Sequence, residues 1–419
     1  MQIEIVTIGS EILSGRTLDT NFAFLARALE QASVQIGWHT TVGDTPERIA
    51  EAVRRGLERA DALVLTGGLG PTPDDVTRRA VSNVLSRPLQ LDEQVLEHIR
   101  ERAARLGRKL PGSIEAQALL PLGAEAWLNR LGTAPGILIL HHGKPVILLP
   151  GVPQEMEELA TEYVVPYLRQ RTGRHVETFT LRTSGVFESA LHEKIGALPQ
   201  AWPGATLAYL PSFFGVDLRV TASGTDPDQV RRVTGRAYDE LKQKVDAVIY
   251  AEGTTTMQQV VGETLVELGY TLATAESCTG GLLAKRITDV PGASRYFERG
   301  FVTYSNVSKV ELLGVRAGDL EAHGAVSAPV AEQMAAGARE RAGADVGVGI
   351  TGVAGPEGGS EEKPVGTVFV AVASPRGAAV RRLHIVGTRA TIRERSAQTA
   401  LDLVRRQLRG LPLEPSLEG

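Results

Sequence analysis

The 419-residue chain has little cysteine, few aromatic residues and no excess of basic charge. Its one cysteine, Cys278, cannot form an intrachain disulfide. Aromatic residues make up 5% of the chain, which leaves few side chains for stacking on bases, and the formal net charge is −4. We therefore expect nucleic acid not to be the main partner, whereas anionic small molecules remain allowed as ligands.

Long hydrophobic runs are also missing. The sequence contains no uninterrupted apolar stretch of about 18 residues, so we expect no transmembrane helix and no membrane partner. The first residues alternate between apolar and polar, which is typical of a strand and differs from the basic and then apolar pattern of a secretory signal. We expect a cytoplasmic protein.

A chain of this length is expected to form two or three domains. Residues 1–170 alternate strand-like runs with helical periodicity, including a helix expected over 75–85, and this alternation predicts an α/β doubly wound domain. Residues 171–252 predict a small α+β domain without a GxxG loop, for which a spacer or dimerisation module is the favoured interpretation. Residues 253–412 predict a second α/β domain, with a strand expected over 301–304.

A glycine-flanked turn follows the strand predicted over 270–275. Ser277 lies where this strand ends and a helix begins, a place where a hydroxyl residue is often simply an N-cap. Gly280 and Gly281 follow, however, and they let backbone N–H groups approach a ligand closely at the positive end of the helix dipole. Such a turn can hold an oxyanion or a phosphate.

A serine nucleophile needs a base within hydrogen-bond reach. None of the eight histidines lies in a convincing motif, whereas Tyr304 stands at a predicted strand end and Lys309 follows about one helical turn later. A lysine in a dry pocket can lose its proton and act as a base; the alternative is an ordinary surface residue of a helix. Cys278 is the competing nucleophile, because a helix N-terminus favours a thiolate.

A second glycine-rich loop, residues 349–359, follows a predicted buried strand and contains Thr351. Such loops often just change the direction of the chain, but glycines and a hydroxyl at a strand end also suit contact with an anion. Arg393, on the last predicted helix, either pairs with a phosphate or belongs to a solvated helix face.

A third glycine-rich segment, Gly67–Asp75, is neither a P-loop nor a GxGxxG motif. One interpretation is a strand-to-helix turn in which Asp74 caps the helix that follows. The other is a site in which Asp74 and Asp75, with Asp44 from an earlier strand end, hold a divalent cation that bridges phosphates. The sequence pattern leaves both open.

Several motifs together resemble the CinA family, the competence/damage-inducible proteins. In the C-terminal part these are Thr274–Gly281, Gly300–Asn306 with Lys309, and Gly349–Pro356. The resemblance implies a nicotinamide mononucleotide deamidase domain that requires no metal. It places Ser277, Lys309 and Tyr304 in the catalytic site. It places the following residues in contact with the substrate: Thr279, Gly280, Gly281, Thr351, Gly352, Gly355 and Arg393.

The N-terminal motifs Thr41–Asp44, Asp61–Asp75, Gly132–Gly136 and Pro150–Pro153 resemble the amino-terminal domain of the same family, which is similar to molybdopterin-binding proteins. This resemblance implies a metal-dependent pyrophosphatase that splits ADP-ribose into AMP and ribose 5-phosphate. It further implies a KH-like middle domain and a homodimer. The residues implied in this site are Gly68, Gly70 and Asp44 for the substrate and Asp75 and Asp74 for the divalent metal.

Two other classes of function compete with this two-activity enzyme. One is a molybdopterin- or nucleotide-binding protein whose N-terminal domain does no chemistry. The other is an interaction protein of competence or recombination, which the acidic net charge disfavours.

Overall fold

The computed structural model describes residues 1–32, 34–72, 74–105 and 116–417. It contains two compact units, one of Met1–Glu177 with Ser223–Arg231 and one of Thr178–Ala222 with the residues from Arg232 onward. Among the described residues, no helix is long and apolar enough to cross a membrane.

The first unit is built on a six-stranded sheet with the order β2-β1-β3-β8-β7-β6, and a two-stranded sheet pairs β4 with β5. The strands are β1 (Gln2–Ile8), β2 (Gln35–Val42), β3 (Ala62–Thr66), β4 (Leu89–Leu91), β5 (Leu119–Pro121), β6 (Glu125–Trp127), β7 (Gly136–His141) and β8 (Lys144–Leu149). The helices are α1 (Ser10–Leu13), α2 (Thr20–Gln31), α3 (Pro46–Arg59), α4 (Thr77–Val84), α5 (Glu93–Arg105), α6 (Pro153–Leu159) and α7 (Val165–Thr172).

Strands β1, β2, β3 and β8 run parallel, and β7 and β6 are antiparallel additions at one edge. All five residues of β3 are buried, which is expected of a central parallel strand covered by helices on both faces. The carboxyl ends of β1, β2 and β3 therefore lie side by side, and the Gly/Asp-rich segments predicted from the sequence follow them at one edge of the sheet.

The middle segment forms a four-stranded sheet with the order β10-β11-β9-β12. Its elements are β9 (His175–Thr183), α8 (Glu188–Ile195), β10 (Ala205–Pro211), β11 (Val216–Gly224), α9 (Pro227–Val245) and β12 (Ile249–Glu252). The inward residues of β11 alternate with partly exposed ones, so one face of this sheet packs on a core that includes Leu218 and Val220. The segment is an α+β fold, as predicted.

The C-terminal segment forms a five-stranded mixed sheet with the order β14-β13-β15-β16-β17. Its strands are β13 (Leu272–Glu276), β14 (Phe297–Val302), β15 (Val346–Gly352), β16 (Thr367–Ser374) and β17 (Gly377–His384). Its helices are α10 (Met257–Leu268), α11 (Leu282–Thr288), α12 (Asn306–Leu313), α13 (Ala317–His323), α14 (Ala328–Ala342) and α15 (Arg389–Arg409).

Helix α14 packs unusually close to strand β15. A Cβ placed on Gly347 would lie 2.1 Å from the carbonyl oxygen of Ala335, and one on Gly349 would lie 2.3 Å from that of Ala331. Glycine on the strand opposite alanine on the helix is what permits this approach. The contact fixes the position of β15, whose carboxyl end lies beside that of β13.

Two predicted boundaries are wrong. The helix expected over 75–85 begins at Thr77, because the residues before it form a separate turn. The strand expected over 301–304 is β14, Phe297–Val302, and it begins four residues earlier. Its first half contains Glu298 and Arg299, exposed charges that are tolerated because β14 is an edge strand.

Candidate functional site

Ser277 begins a tight turn at the carboxyl end of β13. All of β13 is buried between β14 and β15, and the Ser277 N–H donates to the carbonyl oxygen of Ile350 at 2.9 Å. Gly280 and Gly281 then adopt positive φ angles of 59° and 90°, which side chains with a Cβ disfavour. The two glycines thus allow the chain to turn at once from the central strand into α11.

Lys309 reaches this turn from the second element of the site, α12. Its Nζ lies 3.2 Å from the Ser277 Oγ and 2.8 Å from the carbonyl oxygen of Thr303. A longer contact of 3.5 Å joins Nζ to the carbonyl oxygen of Ser305. The side chain is 1% exposed, so the alternative of a surface lysine is wrong.

Burial lowers the pKa of the Lys309 amine, and the nearby Cys278 has a smaller effect in the opposite direction. In the structure Nζ donates to the Ser277 Oγ and to the carbonyl oxygens of Thr303 and Ser305. When the amine is uncharged, its two N–H groups serve the carbonyls and its lone pair faces the Ser277 hydroxyl. In this state the serine O–H donates to the amine, which is the arrangement that a general base requires.

Cys278, the competing nucleophile, is buried. Burial raises the pKa of its thiol to about 12. Because the thiolate is the reactive form, this environment disfavours Cys278 as a nucleophile at neutral pH.

Glu276 is a residue of the site that the sequence interpretation missed. Its buried carboxylate accepts hydrogen bonds from the N–H groups of Gly281 and Leu283, both at 3.0 Å, and of Ala284 at 2.8 Å. The last residue of β13 therefore caps the first turn of α11. The available signal was an acidic residue at the end of an otherwise apolar strand.

The capping narrows the choice of oxyanion donors in the turn. The Gly281 N–H is used by Glu276, and the Gly280 N–H donates to the Ser277 carbonyl oxygen at 3.1 Å. Within the described residues, the N–H groups of Cys278 and Thr279 donate to no other residue. These two N–H groups belong to the two residues that follow Ser277. They are available to donate hydrogen bonds to an oxygen on which negative charge develops during acyl chemistry.

Tyr304 lies at the open side of the site, 61% exposed. Its Oη accepts a hydrogen bond from the Arg389 Nη2 at 2.9 Å, and the Arg389 Nη1 donates to the carbonyl oxygen of Gly355 at 2.7 Å. Arg389, which the sequence interpretation did not select, thus connects the tyrosine with the second glycine-rich loop.

Arg393 lies one helical turn after Arg389 on α15 and contacts the serine turn directly. Its Nε and Nη2 donate to the carbonyl oxygen of Thr279 at 3.2 and 2.6 Å. The solvated-face interpretation is therefore wrong, since the guanidinium anchors the turn. Its charge also lies beside the available N–H groups, where an anionic group of a ligand is favoured.

The loop after β15 is shaped by its glycines. Thr351 is buried, and its Oγ1 donates to the carbonyl oxygen of Ala325 at 2.8 Å. A Cβ on Gly355, which has a φ of 70°, would lie 2.5 Å from a methyl group of Val365, and a Cβ on Gly352 would also clash with β16. These residues form the wall of the site through close packing of backbone.

In the first unit, the segment after β3 forms a compact loop around Asp75. The Asp75 Oδ2 accepts from the N–H and the Oγ1 of Thr72 at 2.8 and 2.6 Å. A Cβ on Gly70 would lie 2.5 Å from the same oxygen, and one on Gly68 would lie 2.3 Å from the Thr77 Oγ1. Both glycines are thus required by the fold of the loop.

The interpretation of Asp74 as a helix cap is wrong. Helix α4 begins at Thr77, its N-cap residue is Val76, and no side chain caps it. Asp74 lies two residues before that position, in the turn formed by Thr72 and Asp75.

The ends of the neighbouring strands add further polar groups to this edge. The Asp44 Oδ2, after β2, accepts from the Ser10 N–H at 3.1 Å. Asn21, which the sequence interpretation missed, donates from Nδ2 to the Thr66 Oγ1 at 3.0 Å and to the Gly151 carbonyl oxygen at 2.9 Å. Its buried Oδ1 has no partner in the described part of the chain.

No three Asp, Glu, His or Cys side chains converge closely enough for a metal site in residues 1–32, 34–72, 74–105 and 116–417. A Mg²⁺-type cation is commonly held by one or two carboxylates together with substrate phosphates. Asp75 fits a site of this kind, in which few carboxylates hold the cation. Its Oδ2 accepts a hydrogen bond from Thr72 and lies against Gly70.

Comparisons with known proteins cover nearly the whole chain. Residues 4–170 match the probable molybdopterin binding domain, residues 178–251 the damage-inducible protein CinA KH domain, and residues 254–408 the CinA C-terminal domain. A CinA-like protein of Gemmatimonas aurantiaca is 44% identical over 97% of this chain and 96% of its own length. The chain belongs to the CinA family.

Other members of the CinA family show similar identity. A CinA-like protein of Desulfotalea psychrophila is 42% identical over 97% of this chain and 99% of its own length. A crystal structure described as the protein CinA with unknown function, from Thermoplasma acidophilum, is 38% identical and covers 38% of this chain and 93% of its own, with a TM-score of 0.36. The three family models and the full-length relatives confirm the family resemblance, and the described sheets with their helices agree with the predicted α/β fold class.

Proposed function

We propose that the C-terminal segment hydrolyses the carboxamide of nicotinamide mononucleotide to nicotinic acid mononucleotide and ammonia. The observation that supports this most directly is the buried amine of Lys309 at 3.2 Å from the Ser277 Oγ. A serine hydroxyl paired with an amine of lowered pKa is an activated nucleophile for acyl chemistry.

In the first half-reaction the Lys309 amine takes the proton of the Ser277 hydroxyl, and the serine oxygen bonds to the carboxamide carbon. The N–H groups of Cys278 and Thr279 stabilise the negative charge on the carboxamide oxygen. The carbon–nitrogen bond then breaks, the proton moves from Lys309 to the leaving nitrogen, and ammonia departs. Tyr304 orients this proton transfer at the open side of the site.

In the second half-reaction water attacks the acyl ester on Ser277, and Lys309 accepts a proton from the water. The ester bond breaks, the serine oxygen regains its proton, and the acid product leaves. Arg393 favours the phosphate of the substrate, and Thr351, Gly352 and Gly355 form the wall against which the substrate lies.

The direct test incubates the purified protein with nicotinamide mononucleotide and follows ammonia and the acid by mass spectrometry. We expect both products in equal amounts. The proposal fails if the amide persists at high enzyme concentration while the protein remains folded.

We propose that the N-terminal segment is a pyrophosphatase that converts ADP-ribose and water to AMP and ribose 5-phosphate. The supporting observation is the glycine-rich loop at the carboxyl edge of the sheet, with Asp75 held by Thr72. Asp75 would hold a divalent metal with Asp74, and the metal would neutralise phosphate charge. Gly68, Gly70 and Asp44 would contact the substrate.

The pyrophosphatase is tested with ADP-ribose, with and without a chelator. We expect AMP in the presence of a divalent metal and none with the chelator. A pterin that copurifies with the protein, together with no turnover of ADP-ribose, would favour a binding protein instead.

A further inference from the structure

A second cleft of about 380 Å³ lies within the second unit and shares no lining residue with the Ser277 site. One side is formed by residues 184–188 and by the β10–β11 hairpin at 211–216. The other is formed by the end of β17 and by α15. Its volume is within the range of small-molecule sites, which is roughly 300–1,000 Å³.

The cleft carries an excess of basic side chains. Arg381, His384 and Arg395 line it, whereas Glu188 is its one acidic lining residue. Among the described residues, none forms a hydrogen bond or ion pair with the side chains of these three basic residues. Arg381 is partly buried, and burial lowers the pKa of its guanidinium although the carboxylates of Asp402 and Glu414 attract it. An anion in the cleft would add a direct, charge-assisted partner.

Gln398 adds an unused donor at the same place. It lines the cleft and is 4% exposed. Its Oε1 accepts from the Arg286 Nη2 at 2.6 Å, which fixes the orientation of the amide, and its buried Nε2 has no hydrogen-bond partner in the described residues. Nε2 has almost no accessible surface, so Gln398 forms part of the polar wall of the cleft and does not itself contact a ligand.

Two phenylalanines supply flat apolar surface beside these donors. Phe213 is 49% exposed and Phe187 is 74% exposed, and both line the cleft. Phe214, next in the hairpin, is fixed by the Arg286 guanidinium, which lies 4.7 Å from the centre of its ring. Exposed aromatic rings beside unpaired guanidiniums are the combination that stacks a base and binds its phosphate.

We propose that this cleft binds a nucleoside monophosphate, with the phosphate on Arg381 and Arg395 and the base against Phe213. The inference is independent of the deamidase and pyrophosphatase proposals, because none of their residues lines the cleft. One phosphate can accept hydrogen bonds from two guanidiniums, and the volume of the cleft is within the range of small-molecule sites.

The test is photolabelling of the full-length protein with 8-azido-AMP, followed by mass spectrometry of its peptides. We expect label on the hairpin that contains Phe213 and Phe214. Unlabelled AMP should compete at concentrations at least about tenfold lower than inorganic phosphate or adenosine, because each of these offers half of the contacts.

The test uses a double variant that combines Arg381→Gln with Arg395→Gln. The matched control is the single variant Arg382→Gln. Arg382 follows Arg381 in β17, but it lies over the ring of Phe369 and does not line the cleft. We expect the double variant to lose about tenfold or more of the hairpin label, since charge-assisted hydrogen bonds are lost, and the control to retain it.

Phe213→Ala changes a side chain that is 49% exposed and should also reduce the label. This variant tests the proposal if the double variant unfolds. The proposal is overturned if the hairpin is not labelled at about 1 mM probe, a concentration that detects even weak sites. It is also overturned if the arginine and phenylalanine substitutions leave the label unchanged, or if phosphate alone competes as well as AMP.

Discussion

The chemistry proposed for the C-terminal segment depends on two atoms, the Ser277 Oγ and the Lys309 Nζ. Substituting Ser277 by alanine removes the nucleophile but leaves the buried amine in place. We expect Ser277→Ala to lower kcat for deamidation by about 10³-fold or more. The measurement is the initial rate of ammonia release.

Cys278→Ser is the matched control for this substitution. The thiol is buried and its pKa is raised to about 12, so we expect this variant to keep its rate within about threefold if it folds. Full activity in Ser277→Ala, or loss of activity in Cys278→Ser alone, would identify Cys278 as the nucleophile.

The pH dependence of deamidation reports on Lys309. The amine takes a proton only when it is uncharged, and burial lowers its pKa from the ordinary lysine value of 10.5. We therefore expect kcat/KM to rise with pH, about tenfold per unit below this pKa, and to level off above it. Lys309→Arg, which stays protonated, should lose the rate at every pH.

The buried amine of Lys309 should also lower the free energy of unfolding of the protein. Its pKa is lower in the folded protein than in the unfolded chain, so the unfolded chain binds more protons at pH values between the two. The free energy of unfolding therefore falls as pH falls from the ordinary lysine value of 10.5 to the folded-state pKa. We expect Lys309→Met to abolish activity yet unfold at an equal or higher temperature at pH 7. The advantage should grow as pH falls from 10.5 to the folded-state pKa and stay constant below it. Calorimetry of both proteins at several pH values measures this; a large loss of stability in Lys309→Met would contradict it.

At the scale of elements, the carboxylate of Glu276 joins β13 to α11. It accepts hydrogen bonds from three backbone N–H groups, and Glu276 lies directly before Ser277, the proposed nucleophile. We expect Glu276→Ala to destabilise the segment by about 1–3 kcal/mol, because buried donors are left unpaired, and to lower deamidation by displacing the turn. Hydrogen exchange of residues 272–288 and the deamidation rate measure the two effects.

Asp289→Asn is the control at the other end of the same helix. Asp289 pairs with Lys285 in an exposed contact four residues apart, and such pairs contribute little to stability. We expect this variant to leave both the exchange rates and the activity near those of the unchanged protein. Equal effects of the two substitutions would show that α11 is sensitive to any change of charge, not to the cap.

How well the sequence predicted an element depended on its local signals. Helix α14 carries clear local signals, since Pro329 stands at its start and Gly343 ends it. Helix α4 was misplaced because the Thr72–Asp75 turn resembles a helix cap in sequence. The strand β14 was shortened because its exposed charges break the apolar pattern.

The candidate site was predicted in its residues but not in its connections. The sequence pointed to Ser277 through the glycines that follow it and to Lys309 through its spacing after Tyr304, whereas the distance between the two side chains required the fold. Glu276 and Arg389 were missed, since a buried carboxylate that caps a helix and an arginine that contacts a distant loop have the same local pattern as surface charges.

At the scale of the whole molecule, the chain carries two proposed activities on separate sheets. Ser277 follows a strand of the five-stranded sheet, and Asp75 follows a strand of the six-stranded sheet. The deamidase residues require no metal in the proposed reaction, whereas the pyrophosphatase does. Removal of divalent metal by a chelator should therefore affect one reaction and not the other.

We expect a chelator to abolish release of AMP from ADP-ribose and to leave release of ammonia from nicotinamide mononucleotide unchanged. Asp75→Asn should act like the chelator, lowering AMP release by about 10²-fold or more because the metal loses a charged ligand, while Ser277→Ala should have the opposite pattern. Both reactions are measured in one sample with both substrates present. Because each variant serves as the folding control of the other, loss of both activities in Asp75→Asn would mean that Asp75 supports the structure of the chain and does not act as a ligand specific to one site.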